Sequence, residues 1–116
     1  MGMEKYCVNE RYTIKEVLEQ FESYNNRVAI VTNDSGKVIG VVSQGDILRA
    51  LSSGTGLFTP VNQIIRSSFL HLYEKDMDKA YSIFKKKKIS LLPVINHNNE
   101  LIDIITLGDI FDFLEK

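Results

Sequence analysis

The chain has 116 residues, of which 44% are hydrophobic, so it can fill one modest core, but each half alone would be marginal. Its net charge of −1 gives no electrostatic case for nucleic acid. No apolar stretch approaches about 18 residues and residues 1–10 lack an apolar signal region, so we expect no membrane partner and no export. Cys7 is the single cysteine, which excludes an internal disulfide and favours a cytoplasmic location.

The first half has the pattern of a strand, a helix, a two-stranded hairpin and a second helix. Thr13 begins the first helix, and Glu16 three residues later completes a capping-box pattern. The predicted elements are a short strand at 6–8, the helix from Thr13, strands at Val28–Thr32 and 38–42, and a helix at 45–51.

A polar, glycine-containing loop at 52–56 joins the halves, and Pro60 is expected to open a brief helix that continues to Ile65. The second half then repeats the first, with Asp76 as the candidate helix cap. Its predicted elements are strands at 69–71, Leu91–Ile95 and 100–105, the helix from Asp76 and a helix at 108–114. We place the first repeat, with its linker, at 1–59 and the second at 60–116.

The two halves align without a gap at a constant offset of 63 residues. Identical residues occur at equivalent positions along the whole alignment, including Phe21 and Phe84, Val31 and Val94, Asn33 and Asn96, Gly45 and Gly108, Ile47 and Ile110, and Leu51 and Leu114. A constant spacing of this kind indicates a tandem duplication, and two copies favour a closed pair of modules over an extended array.

A hydroxyl and a carboxylate recur where each hairpin meets the helix that follows. We call Ser43 to Asp46 the first corner and Thr106 to Asp109 the second corner. A helix N-terminus presents free N–H groups and the positive end of the helix dipole, which suit a phosphate. An ionised aspartate accepts hydrogen bonds from both hydroxyls of a ribose. The pattern therefore favours a nucleotide site at one or both corners.

These residues resemble the CBS domain family. Its repeat closes with glycine, two apolar residues, Thr or Ser, two variable residues and Asp. The segment from Gly40 to Asp46 satisfies this pattern, and the segment from Asp103 to Asp109 does so except at its first position. The resemblance covers nearly the whole chain as a tandem pair. More narrowly, residues 13–51 resemble the CBS pair at the N-terminus of some bacterial sugar-phosphate nucleotidyltransferases.

The resemblance implies an α+β fold in which each repeat is β-α-β-β-α, with small mixed sheets packed against helices in a pseudo-two-fold arrangement. It also implies a non-enzymatic regulatory module that needs no cofactor. Such pairs bind AMP, ADP, ATP or an adenosyl ligand in the cleft between repeats and regulate an attached or partner enzyme. By position, Ala29 and Ile30 in the first copy, and Leu92 and Pro93 in the second, are the candidates for adenine contacts.

The same corners have a purely structural interpretation, because Ser-x-x-Asp and Thr-x-x-Asp also suit a capping box. Aspartate is expected to reach the N-cap amide less easily than glutamate, which favours the ligand site at the first corner. At the second corner Asp103 replaces the glycine of the pattern and is expected to obstruct a ligand or repel its phosphate. In the first copy Ile30 stands where the family usually has proline. The alternative function is a dimerisation or interaction module that binds no ligand, which includes a regulatory fragment of a nucleotidyltransferase.

Other candidates are weaker. Residues 85–88 are four lysines, expected at a solvated helix end, with a polyphosphate contact as the alternative. His71 and His97 are far apart in the repeat pattern, so no metal site is expected. Cys7 is expected to be a small buried apolar residue. The apolar C-terminal helix, with Phe111, Phe113 and Leu114, is the expected contact of a homodimer, and packing within the chain alone is the alternative.

Overall fold

The computed structural model describes residues 2–66 and 68–116, which fall into two units, Met1–Phe69 and Leu70–Lys116. The first unit contains strands β1 (Cys7–Asn9), β2 (Val28–Thr32) and β3 (Val38–Ser43), helices α1 (Ile14–Tyr24) and α2 (Gln44–Ser52), and short 3₁₀ helices at Gly2–Tyr6 and Val61–Gln63. The second unit contains helices α3 (Met77–Lys86) and α4 (Leu107–Leu114) and strands β4 (Leu91–Ile95) and β5 (Leu101–Thr106). The predicted order of helices and strands is confirmed except at 69–71.

The first unit has a mixed three-stranded sheet in the order β1-β2-β3. Strand β1 runs parallel to β2, so the chain crosses over through α1, whereas β2 and β3 form an antiparallel hairpin. The apolar stripe of α1 covers one face of this sheet because Ile14, Val17 and Phe21 recur at helical spacing. Its core consists of these residues with Val8, Ala29, Val31, Val42, Ile47 and Val61.

Helix α1 begins with the predicted capping box. The Thr13 hydroxyl accepts a hydrogen bond from the Glu16 N–H at 3.1 Å, and the Glu16 carboxylate accepts one from the Thr13 N–H at 2.9 Å. In the second unit the Asp76 carboxylate caps α3 by accepting from the Lys79 N–H at 3.1 Å. Both helices therefore begin where the sequence predicted.

The second unit pairs β4 and β5 antiparallel, and Leu72 and the helices α3 and α4 complete its core. The core residues are Leu72, Ala80, Leu92, Val94, Ile105 and Ile110. The strand predicted at 69–71 is wrong. The residue that follows this segment, Leu72, makes a single parallel bridge with Val94. Its neighbour Tyr73 packs its ring edge-on against His71 and stacks on His97 of the hairpin turn, so these side chains fix the segment where a ladder does not form.

The two hairpin turns are built in the same way, which explains the identical asparagines. Each side-chain oxygen of Asn33 and Asn96 accepts hydrogen bonds from the backbone N–H groups two and four residues later, at 2.9–3.0 Å. The fourth residue of each turn has a positive φ, 78° at Gly36 and 63° at Asn99, a conformation that glycine and asparagine tolerate. These asparagines are therefore needed for the turns.

The connection after α2 packs onto the first unit. The helix predicted from Pro60 to Ile65 is shorter than expected, a 3₁₀ helix at Val61–Gln63. Val61 is fully buried in the core of the first unit, and Arg66 forms an antiparallel bridge with Val41 of β3. The predicted repeat boundary at 59/60 stays a prediction about the duplicated sequence. In the part of the chain that the structure describes, no helix has the length and apolar character needed to cross a membrane.

Candidate functional site

The first corner is a closed capping box at the start of α2. Ser43 ends β3 and is the N-cap residue, with φ −108° and ψ 163°. Its hydroxyl accepts a hydrogen bond from the Asp46 N–H at 3.1 Å, and Asp46 Oδ2 accepts one from the Ser43 N–H at 2.9 Å. These two bonds satisfy two N–H groups that the helix would otherwise leave without a partner.

The second corner repeats this geometry at the start of α4. The Thr106 hydroxyl accepts from the Asp109 N–H at 3.2 Å, and Asp109 Oδ2 accepts from the Thr106 N–H at 2.9 Å. The expectation that aspartate reaches the N-cap amide poorly is therefore wrong, because both aspartates do so at ordinary hydrogen-bond distance. The box uses Oδ2 of each carboxylate and leaves Oδ1 to other partners.

Two arginines converge on the remaining oxygen of Asp46. Arg49 Nη2 donates to Asp46 Oδ1 at 2.6 Å, and Arg66 Nη2 lies 3.6 Å from the same atom. The Asp46 side chain is 15% exposed, whereas the two arginine side chains are 66% and 69% exposed. Partial burial by itself raises the pKa of Asp46, but the hydrogen bonds from Ser43, then the bond from Arg49 and the charge of Arg66, outweigh it and hold the pKa below its ordinary value.

The second corner differs in its charged neighbours. Among the residues that the structure describes, no cation is paired with Asp109. The position equivalent to Arg49 is Asp112, so a carboxylate replaces a guanidinium one turn into the helix. Asp103 occupies the glycine position of the pattern, where its Oδ2 lies 3.5 Å from Lys75 Nζ. The expectation that Asp103 obstructs a ligand stays a prediction.

Gly40 has a structural reason that the sequence did not reveal. A Cβ atom at Gly40 would lie only 2.6 Å from the backbone oxygen of Arg66, which is closer than real Cβ contacts come. Glycine therefore lets the 61–66 segment approach β3 and pair with it at Val41. The same approach brings the Arg66 guanidinium to Asp46, so Gly40 contributes to the corner indirectly.

The chain matches the model of a known domain family. The family model of the CBS domain matches residues 3–53 and 61–116, one match for each copy of the repeat. The chain belongs to the CBS domain family. The tandem pair and the α+β fold inferred from the sequence are thereby confirmed, and the closing motif of each CBS repeat is the corner described above.

The CBS pair is similar to several known proteins. The AMP-complexed CBS domain protein PAE2072 of Pyrobaculum aerophilum is 25% identical, with a TM-score of 0.76 and coverage of 97% of this chain and 96% of that one. The uncharacterised protein MJ1225 of Methanocaldococcus jannaschii is 25% identical over 112 residues, and its crystal structure gives a TM-score of 0.82. Arabinose 5-phosphate isomerase GutQ of Escherichia coli O6:H1 is 35% identical over 83 residues.

These curated relatives are longer proteins. The CBS pair spans 40% of the length of MJ1225 and 26% of the length of GutQ. What the whole of either protein does is therefore not transferred to this chain. The narrower resemblance to the CBS pair of nucleotidyltransferases stays a prediction.

The predicted adenine contacts divide into two faces of their strands. Ala29 and Leu92 belong to the cores of their own units, so their side chains are committed to packing, and they offer a ligand only backbone groups. Ile30 and Pro93 follow directly in each strand and therefore point to the opposite face. Both are buried but lie outside those core clusters. Their contact with adenine stays a prediction, and Ile30 and Pro93 are the better candidates for stacking.

The remaining candidates have local structural roles. The lysine run ends α3 as expected: Lys85 and Lys86 lie in its last turn, and Lys87 is the C-cap. His71 and His97 are closer than the repeat pattern suggested, since both rings contact Tyr73. Among the described residues, no group of three or more His, Cys, Asp or Glu side chains could hold a metal ion. Cys7 is half-buried, and burial together with Glu4 raises the pKa of its thiol.

Proposed function

We propose that this CBS pair is a regulatory module that binds an adenine nucleotide, with AMP as the first ligand to test. The supporting observation is its similarity to an AMP-complexed CBS protein, which at 25% identity extends over nearly the full length of both chains. The chemistry of the corners agrees with that ligand. Each combines a hydroxyl, a carboxylate and the N-terminus of a helix within three residues.

The first corner is the better candidate site. A phosphate at the N-terminus of α2 would accept from backbone N–H groups and from the Ser43 hydroxyl. The two exposed arginines beside it offer further donors in a geometry that suits phosphate. Asp46 would then accept the ribose hydroxyls through Oδ1, because the capping bond uses Oδ2. The adenine ring would stack on Ile30, which lies on the face of β2 opposite the core of the first unit.

We propose a regulatory and not a catalytic role for the bound nucleotide. A ligand shifts a conformational equilibrium only by the difference in its affinity for the two states. A partner or attached enzyme would read that shift, and the similarity to part of a sugar-phosphate isomerase supports an enzyme as the regulated protein. A half-buried free cysteine is consistent with a reducing compartment, and we place the protein in the cytoplasm.

We further propose that the chain forms a homodimer through α4. Leu107, Phe111 and Leu114 recur at positions i, i+4 and i+7, so they form one face of the helix, and they are 40–57% exposed. The equivalent helix of the first copy exposes Leu48 at the position of Phe111. Phe111→Glu is expected to convert the dimer to a monomer in sedimentation velocity, whereas Tyr24→Glu, an equally exposed aromatic on α1, is expected to leave the dimer intact.

The second candidate function is an interaction module that binds no ligand. The observation in its favour is that both capping boxes are closed by their own backbone groups, so neither corner needs a ligand to satisfy its side chains. In that case the tandem pair would serve only to associate with another chain.

A thermal-shift panel with AMP, ADP, ATP and S-adenosylmethionine distinguishes the two functions. A ligand that binds only the folded protein stabilises it by about 2.7 kcal/mol at a concentration of 100 Kd. We expect AMP to raise the melting temperature in a concentration-dependent manner. If all four ligands leave the melting temperature unchanged up to millimolar concentrations, the interaction module is the correct reading.

A further inference from the structure

Two arginines, Arg49 and Arg66, which we call the arginine pair, lie against the Asp46 oxygen that would accept the ribose hydroxyls. Asp46 Oδ1 accepts from Arg49 at 2.6 Å and lies 3.6 Å from Arg66, while Oδ2 is held by the Ser43 N–H. Both oxygens of the carboxylate are therefore engaged by the protein's own groups. A charge-assisted bond between arginine and carboxylate is about twice as strong as a neutral hydrogen bond. A neutral ribose hydroxyl is a poor competitor for Oδ1.

A phosphate changes this competition. Both guanidinium groups are about two-thirds exposed and sit on flexible stems, so they are able to turn from Asp46 to an anion bound at the N-terminus of α2. Arginine binds phosphate and carboxylate with the same planar fork of donors, so the phosphate would replace the carboxylate as their partner. Oδ1 would then be released to accept the ribose hydroxyls.

We propose that the arginine pair keeps Asp46 blocked until an anionic ligand displaces it, so that the first corner selects nucleoside phosphates over the uncharged nucleoside. This inference rests on the proposed function. It assigns the pair a specificity role that goes beyond an ordinary phosphate contact. An ordinary contact strengthens the phosphorylated ligand only, whereas a blocking pair also weakens the unphosphorylated one.

The second corner lacks this device. Asp109 Oδ1 has no cation partner among the described residues, and Asp112 stands at the position equivalent to Arg49. With no guanidinium to displace, the second corner has no blocked aspartate for an anionic ligand to release. The selection therefore belongs to the first copy alone.

The test is a set of titrations with AMP and with adenosine, followed by backbone chemical shifts so that millimolar affinities are measurable. All proteins carry Asp109→Asn, which confines ribose binding to the first corner. In this background we expect Arg49→Ala to lower the affinity for AMP about tenfold and to raise the affinity for adenosine at least threefold. Arg66→Ala should change both affinities in the same directions, but less. The matched control is Arg11→Ala, which removes another exposed arginine–aspartate pair, with Asp34, and is expected to change neither affinity.

The outcomes separate the inference from the proposed function. If AMP binds and Arg49→Ala weakens it while adenosine is unaffected, the arginines are ordinary phosphate contacts and the inference is overturned. If AMP does not bind the parent protein at all, the proposed function and the inference both fail. A third readout needs no ligand: a carbon-13 titration of the Asp46 carboxyl should move to higher pH in Arg49→Ala, and an unchanged titration would also overturn the inference.

Discussion

The two corners have the same capping hydrogen bonds but differ in their charged neighbours. Each closes a capping box with a hydroxyl and an aspartate, at distances that agree within 0.1 Å. Around Asp46 the partners are two guanidinium groups, whereas the second corner has Asp112 and Asp103 in its neighbourhood along the chain. The folding role of the corner has thus been kept in both copies, while its electrostatic character has diverged.

The capping box and the charges beside it carry different information about each corner. A box that occurs in both copies is explained by the helix it starts, because each helix must satisfy its first N–H groups. The charges beside the box are not needed for that purpose. Their difference between the copies is therefore the better guide to which corner binds an anion.

The largest expected effect is on nucleotide affinity. Asp46→Asn keeps an oxygen for the capping bond but removes the charge that accepts the ribose hydroxyls. We expect AMP affinity, measured by titration calorimetry, to fall about 10- to 100-fold, since a hydrogen bond to a charged group is worth about 1.5–3 kcal/mol. Asp109→Asn is the matched control and is expected to change the affinity less than about threefold. Equal losses in the two variants would mean that both corners bind.

The next comparison concerns the glycine position of the motif. In Gly40→Ala the new Cβ would lie 2.6 Å from the Arg66 backbone oxygen, so the backbone must move. We expect a loss of about 1–3 kcal/mol in the free energy of unfolding, as for other overpacked sites, measured by urea denaturation. Asp103→Ala at the equivalent position removes a half-exposed ion pair with Lys75 and a hydrogen bond from the adjacent Ile104 N–H, and should lower the free energy of unfolding by less than about 1 kcal/mol. A tolerated Gly40→Ala would contradict the close approach.

The third comparison separates the cap from the ligand site. Ser43→Ala and Thr106→Ala each remove one capping hydroxyl and should lower the free energy of unfolding by similar amounts, about 1 kcal/mol. Differential scanning calorimetry measures both losses. Only Ser43→Ala is expected to lower the affinity for AMP, because only the Ser43 hydroxyl would contact the phosphate. If Thr106→Ala weakens AMP as much, the charge difference between the corners does not decide where AMP binds.

The smallest expected effect is on acid stability. The folded-state pKa of Asp46 lies below its ordinary value of 3.8. Its ionised form therefore adds stability above that value, and this contribution is lost as the pH falls through the lower folded pKa. Urea denaturation from pH 5 downwards should show a shallower acid loss in Asp46→Asn than in the parent protein. Arg49→Ala should give an intermediate slope; a slope equal to that of the parent would show that Arg49 does not contribute.

Much of the fold followed from local patterns. The capping box of α1, the asparagine-led hairpin turns and the helix after each corner depend on residues within a few positions of one another, so the sequence predicted them. The strand at 69–71 failed because pairing depends on a partner elsewhere in the chain. There the aromatic contacts of Tyr73 with His71 and His97 hold the segment, and only Leu72 joins the sheet.

The site was predicted less completely for the same reason. Ser43 and Asp46 were found from their spacing, and the contact of Arg49 with Asp46 agrees with the helical distance i+3 between them. The contact of Arg66 with Asp46 was not predictable, since it forms only because the 61–66 segment folds back on β3 past Gly40. Because side chains alternate between the two faces of a strand, the sequence alone could have shown that Ala29 and Ile30 point to opposite faces.

The connector at 60–66 makes the duplicated copies non-interchangeable. It supplies Val61 to the core of the copy that precedes it and adds a backbone bridge at Val41. If the order of the copies were exchanged, the first copy would no longer be followed by this connector and would lose Val61 from its core. An isolated first copy would therefore need to extend to residue 66.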